Sequence, residues 1–310
     1  MEYTISKEKF DRLSSEIAKL KVERKAVILA HLYQRPEIQD VADFIGDSLM
    51  LAQKAAATDA EVIVFCGVDF MAESAAILSP EKVVLLPEEK AGCPMADMVT
   101  AEALKAKKRL HPEAIVVCYV NSSAEVKAES DICCTSSNAV KVVNSLPADR
   151  PILFVPDQNL GHWVGLQTGR EIIPWEGYCN THDKVTVEDI QKAKVLHPEA
   201  PVLVHPECRP EVVALADGVF STAGIIKYAQ TSKAEEFIIG TECGILHQLH
   251  KTCPNQQFHL VTNKLVCPNM KATTLDKVQW CLEAMQPRIT VSNEIRQNAI
   301  KALDKMLALS

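Results

Sequence analysis

Three cysteines, Cys93, Cys179 and Cys267, stand 86 and 88 residues apart in a chain of 310, and each precedes a loop-forming residue, Pro94, Asn180 or Pro268. Three thiolates brought together suit soft metals. A structural zinc site calls for a fourth protein ligand, whereas a [4Fe–4S] cluster held by three cysteines leaves one iron open to substrate. The residues leave three readings open: a catalytic cluster, zinc, and plain buried cysteines. Polar pairs recur on the same spacing. His31 with Tyr33, Tyr119 with Asn121, and His205 with Glu207 each end an apolar run. Imidazole, phenol and carboxylate can move protons beside a Lewis acid. A third set, Asp47-Ser48, Thr135-Ser136 and Ser221-Thr222, is read as opening a helix in each copy. Hydroxyls there cap the helix, and its N–H groups bind carboxylate or phosphate. The combination fits addition or removal of water on a small anionic substrate.

These residues need three equivalent elements to carry them. Windows from Ala26, Ala114 and Ala200 share one frame, and the pentapeptide LHPEA leads into the second and third of them. Each window has four short apolar runs alternating with three helical stretches, the pattern of a parallel sheet covered on both faces. The expected fold is α/β: three similar three-layer αβα domains, each with a four-stranded parallel sheet, arranged with pseudo-three-fold symmetry around a central cavity. Ligands bind beyond the carboxyl ends of such strands. That puts the paired residues and the thiols inward, and His111, Glu113, His197 and Glu199 of LHPEA at the opposite, solvent-facing edge. The expected units are residues 1–107 with an N-terminal helix, 108–194, 195–287, and a C-terminal helix over 288–310. Phe10, Leu13, Ile17 and Leu20 give the N-terminal helix its apolar face.

Composition excludes several classes. Hydrophobic residues make up 47% of the chain, and 33 basic against 40 acidic residues give a net charge of −7. No basic block is present to attract nucleic acid or an anionic membrane. The opening MEYTISKEKFDRL lacks the apolar core of a signal peptide, and no apolar run is long enough to span a bilayer. A cytoplasmic location follows as an expectation. Eleven cysteines in a reducing compartment point to packing, catalysis or metal binding rather than disulfides. No CxxC, GxGxxG, GxxxxGK[ST], HExxH or GxSxG pattern occurs. Cys66, Cys118, Cys133 and Cys134 read as buried packing residues. Cys208, beside Glu207, is the non-repeated cysteine expected to come nearest the cavity. Trp163 and Trp175 are expected in a helix and a strand of the core.

The segments AHLYQRPEIQDVADFIGDS, AGCPMADM, CYVNSSAEVKAESDICCTSSNA, VPDQNLGHWV, VHPECRPEVVALAD, GTECGILHQL and CPNMKATTL closely resemble the quinolinate synthase (NadA) family. The resemblance covers nearly the whole chain. It implies the second step of bacterial NAD biosynthesis from aspartate: condensation of iminoaspartate with dihydroxyacetone phosphate to quinolinate, phosphate and water. It implies a [4Fe–4S] cluster on Cys93, Cys179 and Cys267 whose open iron assists the final dehydration. His31, Tyr33 and Ser48 match residues that hold the triose phosphate and assist its isomerisation and proton transfers. Tyr119, Asn121 and Ser136 match binders of the dicarboxylate. VHPEC supplies His205 and Glu207, with Glu207 the principal acid/base and His205 polarising a carbonyl or hydroxyl, and FSTAG supplies Ser221 and Thr222. The pathway suggests functional coupling to an aspartate-oxidising enzyme. Two positions depart from the family pattern: Cys243 stands where an aliphatic residue is commoner, and Cys267 lacks the CxxCxxC arrangement of some members. The alternatives are another iron–sulfur hydro-lyase on this scaffold and a non-catalytic zinc-binding repeat protein.

Overall fold

A computed structural model describes residues 5–310, so the first four residues of the expected first unit lie outside it. A leading helix α1 (Lys7–Arg24) enters β1 (Ala26–His31), α2 (Pro36–Val41), β2 (Phe44–Gly46), α3 (Ser48–Ala57), β3 (Val62–Cys66), α4 (Asp69–Leu78) and β4 (Val83–Leu85). The order returns after α5 (Ala101–Leu110) as β5 (Ile115–Tyr119), α6 (Ala124–Ala128), β6 (Ile132–Cys134), α7 (Ala139–Asn144), β7 (Ile152–Val155), α8 (Gln158–Thr168) and β8 (Ile172–Pro174). After α9 (Val187–Leu196) it returns again as β9 (Val202–Val204), α10 (Pro210–Val213), β10 (Gly218–Val219), α11 (Thr222–Thr231), β11 (Glu236–Gly240), α12 (Ile245–Thr252) and β12 (Gln257–Leu260). Helices α13 (Leu275–Ala284) and α14 (Asn293–Ala308) finish the chain.

Each round makes its own four-stranded sheet, in the orders β2-β1-β3-β4, β6-β5-β7-β8 and β10-β9-β11-β12. Every strand pair is parallel. The three similar α/β domains expected from the repeat are therefore present. Their central strands are wholly apolar and buried, as in VIVFC of β3, IVVCY of β5 and ILFV of β7. A strand covered on both faces requires this, and each large side chain so buried contributes about 1.5–3 kcal/mol. One aspartate per unit sets the first strand against the second. The Asp43, Asp131 and Asp217 carboxylates accept from the N–H groups of Ile28, Val116 and Val202 at 2.7, 2.8 and 2.8 Å. These aspartates keep the 88- and 86-residue spacing, a repeat signature that the apolar pattern did not reveal.

Helix α13 packs on α1, burying Cys281 with Leu13, Ile17 and Val278, so the end of the third unit abuts the start of the first. Helix α14 is less peripheral than a flanking helix. Ala299, Ala302, Leu303 and Met306 are fully buried against α6, β6 and α4. The second unit differs in α7, which spans 6 residues where its counterparts α3 and α11 span 10, and α14 covers β6 there. Thr135-Ser136 accordingly does not open a helix. Asn138 Oδ1 accepts from the Thr135 N–H at 2.8 Å, making a turn that delays α7 to Ala139. The unit boundaries expected after residues 107 and 194 fall in the last turns of α5 and α9, the helices that link the sheets. Cys66, Cys118, Cys133 and Cys134 are buried as expected. Trp163 is only half-buried in α8, and Trp175 follows β8 rather than lying in it, its indole N–H donating to Met98 O at 2.8 Å. No helix among the described residues is long and apolar enough to cross a membrane.

Candidate active site

The carboxyl ends of the three sheets face one cavity of about 220 Å³. Strands β1 and β5 end level with their neighbours, His31 beside Gly46 and Tyr119 beside Cys134, and His205 follows β9 directly. Two of the turns are built alike. The N–H of Tyr33 donates to His31 Nδ1 at 3.1 Å, and that of Glu207 donates to His205 Nδ1 at 3.3 Å. Each imidazole thus accepts at Nδ1 and carries its proton on Nε2. His205 Nε2 then donates to Ser136 Oγ at 3.1 Å, across the seam between the second and third units.

Glu207 sits at the centre of the polar wall. Its Oε1 accepts from the Tyr119 hydroxyl at 2.6 Å and its Oε2 lies 2.6 Å from His182 Nδ1. The chain of contacts continues through His182 Nε2 to Thr241 Oγ1 (2.9 Å), from Thr241 to the Tyr33 hydroxyl (2.6 Å), and on to Thr222 Oγ1 (2.8 Å). All four can donate toward Glu207: Thr222 to Tyr33, Tyr33 to Thr241, Thr241 to His182, and His182 to the carboxylate. Burial is the main cause of the shifted acidities here. It pulls His31 and His205 down to about 3, so both are neutral at physiological pH. It raises Tyr33 and Tyr119, with the Glu207 charge adding to the effect, so both phenols keep their protons. Burial also works to raise Glu207, but the imidazoles of His205 and His182 and the Tyr119 hydroxyl outweigh it and hold the carboxyl below its usual range. Donors on each side keep this carboxylate ionised.

Cys93, Cys179 and Cys267 line the same cavity. Each opens the same local structure: a one-turn 3₁₀ helix (Ala96–Met98, His182–Lys184, Met270–Ala272) and then a threonine, Thr100, Thr186 or Thr274, at the N-cap of α5, α9 or α13. The N–H groups two and three residues on turn back toward each sulfur: Met95 and Ala96, Thr181 and His182, Asn269 and Met270. Such a nest favours anionic sulfur. Burial nevertheless raises all three thiols, Cys93 to about 12, so the thiolates need a cation in place of their protons. The trio is not among the groups whose ligand atoms gather within 4.8 Å. Three sulfurs on one zinc would lie about 3.8 Å apart from Zn–S bonds of about 2.3 Å, closer than these thiols stand. Cys179, His182 and Glu207 do gather within 4.8 Å, a compact set that could take a single ion but shares Cys179 with the trio.

Residues 15–308 match the model of the family described as Quinolinate synthetase A protein, NadA. The chain belongs to this family. A quinolinate synthase from Desulforudis audaxviator is 57% identical over 299 residues, spanning 96% of this chain and 99% of that one. Quinolinate synthases from Methanoregula boonei (59% over 297 residues, 96% and 98% covered) and Methanosarcina barkeri (58% over 297 residues, 96% and 97% covered) are equally similar. The relatives include archaeal proteins, so the NadA family is not bacterial alone.

Of the residues expected at a NadA site, His31, Tyr33, Ser48, Tyr119, Asn121, Ser136, His205, Glu207 and Thr222 line the cavity with the three cysteines. Ser221 does not line it. Its Oγ accepts from the Gly224 N–H at 3.2 Å and caps α11. Asp47 likewise caps α3 through the Met50 N–H at 3.0 Å, while also lining the cavity. Cys208 is fully buried beneath the wall, in an apolar cluster with Val202, Val204 and Val212, and does not line the cavity. Four residues escaped the sequence reading: His182, Thr241, Asp157 and Glu242. His182 stands where the other repeats have Ala96 and Met270, so comparison between repeats hid it. The other three follow the third strands, inside VPDQN and GTECG.

Proposed function

We infer that this chain carries out the quinolinate synthase reaction, condensing iminoaspartate with dihydroxyacetone phosphate to quinolinate, phosphate and water. The observation that carries the reading is Glu207, a buried carboxylate held by Tyr119 and His182 in a cavity that also contains three thiols from three sheets. Both substrates are small anions. Helices α3 and α11 begin at cavity residues Ser48 and Thr222, so their N-terminal N–H groups favour phosphate and carboxylate oxygens. Lys184 adds a positive charge to the lining. Asn121 Oδ1 is buried without a protein partner and offers an acceptor to a substrate N–H or O–H.

In this reading His31, Tyr33 and Ser48 hold the triose phosphate, while Tyr119, Asn121 and Ser136 orient the dicarboxylate. Glu207 accepts and returns protons, with neutral His205 donating from Nε2 to polarise an oxygen. Tyr33, reached from Glu207 through His182 and Thr241, is the second proton donor. Cys93, Cys179 and Cys267 would hold a [4Fe–4S] cluster, which supplies a Lewis-acidic iron for the dehydration. The chain's partners are the small-molecule substrates, with functional coupling to an aspartate-oxidising enzyme suggested by the pathway. A cytoplasmic location fits these substrates.

Anaerobic purification, iron and sulfide analysis, and a quinolinate assay with both substrates test the reading. We expect a brown protein with about four irons per chain, as a [4Fe–4S] cluster requires, and quinolinate formation that depends on it. A colourless protein with one zinc and no product would overturn both the cluster and the activity.

A further inference from the structure

One fully buried carboxylate beside the thiols takes no part in the contacts around Glu207. We propose that Glu242 is a positioning residue for Cys267, fixing the loop from which the third sulfur reaches the cavity; this rests on the reading of the three cysteines as cluster ligands. Glu242 follows β11 and is inaccessible to solvent. Its Oε1 accepts from the Cys267 N–H at 3.1 Å, and its Oε2 accepts from the Gly244 N–H at 2.7 Å and from Lys271 Nζ at 3.0 Å. Lys271 also closes the turn that Cys267 opens, its N–H donating to Cys267 O at 3.1 Å. One carboxylate therefore grips both ends of the ligand turn.

Its own backbone has little room to move. A Cβ at Gly244 would stand 2.7 Å from backbone atoms of Tyr33, and Lys271 Nζ donates to the Tyr33 carbonyl. The grip on Cys267 is thus tied to the first unit's strand end. The second unit has a related carboxylate. Asp157, two residues beyond β7 and fully buried, faces the N–H of Cys179 while capping α8 through the Leu160 N–H at 2.7 Å. Its Oδ2 is buried without a partner. In the first unit Asp69 follows β3, its Oδ2 3.4 Å from a Cβ built on Gly92, the residue before Cys93. Each ligand loop thus lies near a carboxylate that follows the third strand of its own sheet.

The test uses the full chain, reconstituted anaerobically with iron and sulfide, and measures bleaching of its visible absorbance under excess chelator and its reduction potential. Glu242→Gln keeps the shape but removes the charge. We expect it to assemble a cluster that bleaches faster than wild type and has a more positive potential, since nearby charge sets cluster potentials. Glu242→Ala should bleach faster still, within the range of about 10- to 100-fold typical when a ligand loses its supporting partner. A purely structural carboxylate would alter melting but leave the potential unmoved. Both variants bleaching at the wild-type rate with the wild-type potential would overturn the role of Glu242 alone. A wild-type protein that takes up no cluster would instead overturn the reading on which it rests.

Discussion

The Tyr119 hydroxyl donates to Glu207 Oε1 across 2.6 Å, joining the strand end of the second sheet to that of the third. Both side chains are buried apart from the faces they turn to the cavity. Glu207→Gln should therefore fold and keep its metal content while losing turnover by about 10²- to 10⁴-fold, the usual worth of a positioned general base. Tyr119→Phe should lose less. Near-normal kcat in Glu207→Gln would remove it from the chemistry.

Thr241 lies between Tyr33 and His182 but does not line the cavity. Thr241→Val keeps the shape and leaves a phenol and an imidazole short of a partner, at a stability cost of about 1–3 kcal/mol. Because Thr241 does not reach substrate, we expect kcat to fall with KM nearly unchanged. A rise in KM with kcat intact would show that it shapes binding instead.

The cysteines separate cleanly. Cys93→Ala, Cys179→Ala and Cys267→Ala should each abolish cluster assembly, whereas Cys281→Ala, between α13 and α1, should retain it. If Cys179→Ala alone abolished metal uptake, the compact set of Cys179, His182 and Glu207 would be the site. Iron analysis of the four variants decides.

Acid should destabilise the metal-free protein in a defined window. His31 and His205 are held at about 3 when folded against an ordinary 6.5, so below pH 6.5 the unfolded chain binds the extra protons. Their contribution to stability is full above 6.5 and is lost as pH falls toward 3. Glu207, depressed when folded, acts in the same direction. Urea midpoints should fall across this range, and His205→Asn should flatten the slope. An unchanged slope would mean that His205 is already charged in the folded state.

Much of this was legible in the sequence because the three units share one spacing. The thiols and the strand-end pairs fall at repeating positions, and repetition lifted them above background. The same comparison hid whatever the repeats do not share. His182 has no polar counterpart, and α14 belongs to none of the units although it completes the second. Thr135 and Ser221 show a different limit. Both hold the capping position in the pattern, but Asn138 draws the one into a turn that delays α7, whereas Ser221 caps α11 through the Gly224 N–H. Whether a helix begins at that position depends on local hydrogen bonds that spacing does not record.

The placement of one thiol on each sheet has a mechanical consequence. A group bonded to all three would tether points 86 and 88 residues apart along the chain. By the loop-entropy account of disulfides, each such closure is worth about 4–5 kcal/mol. The prosthetic group would then double as a clasp across seams otherwise held by pairs such as Arg209–Asp183 and His247–Asp40. Oxygen damage to it would first loosen the docking of the three sheets, and a protease would find the linking helices α5 and α9 before any strand had melted.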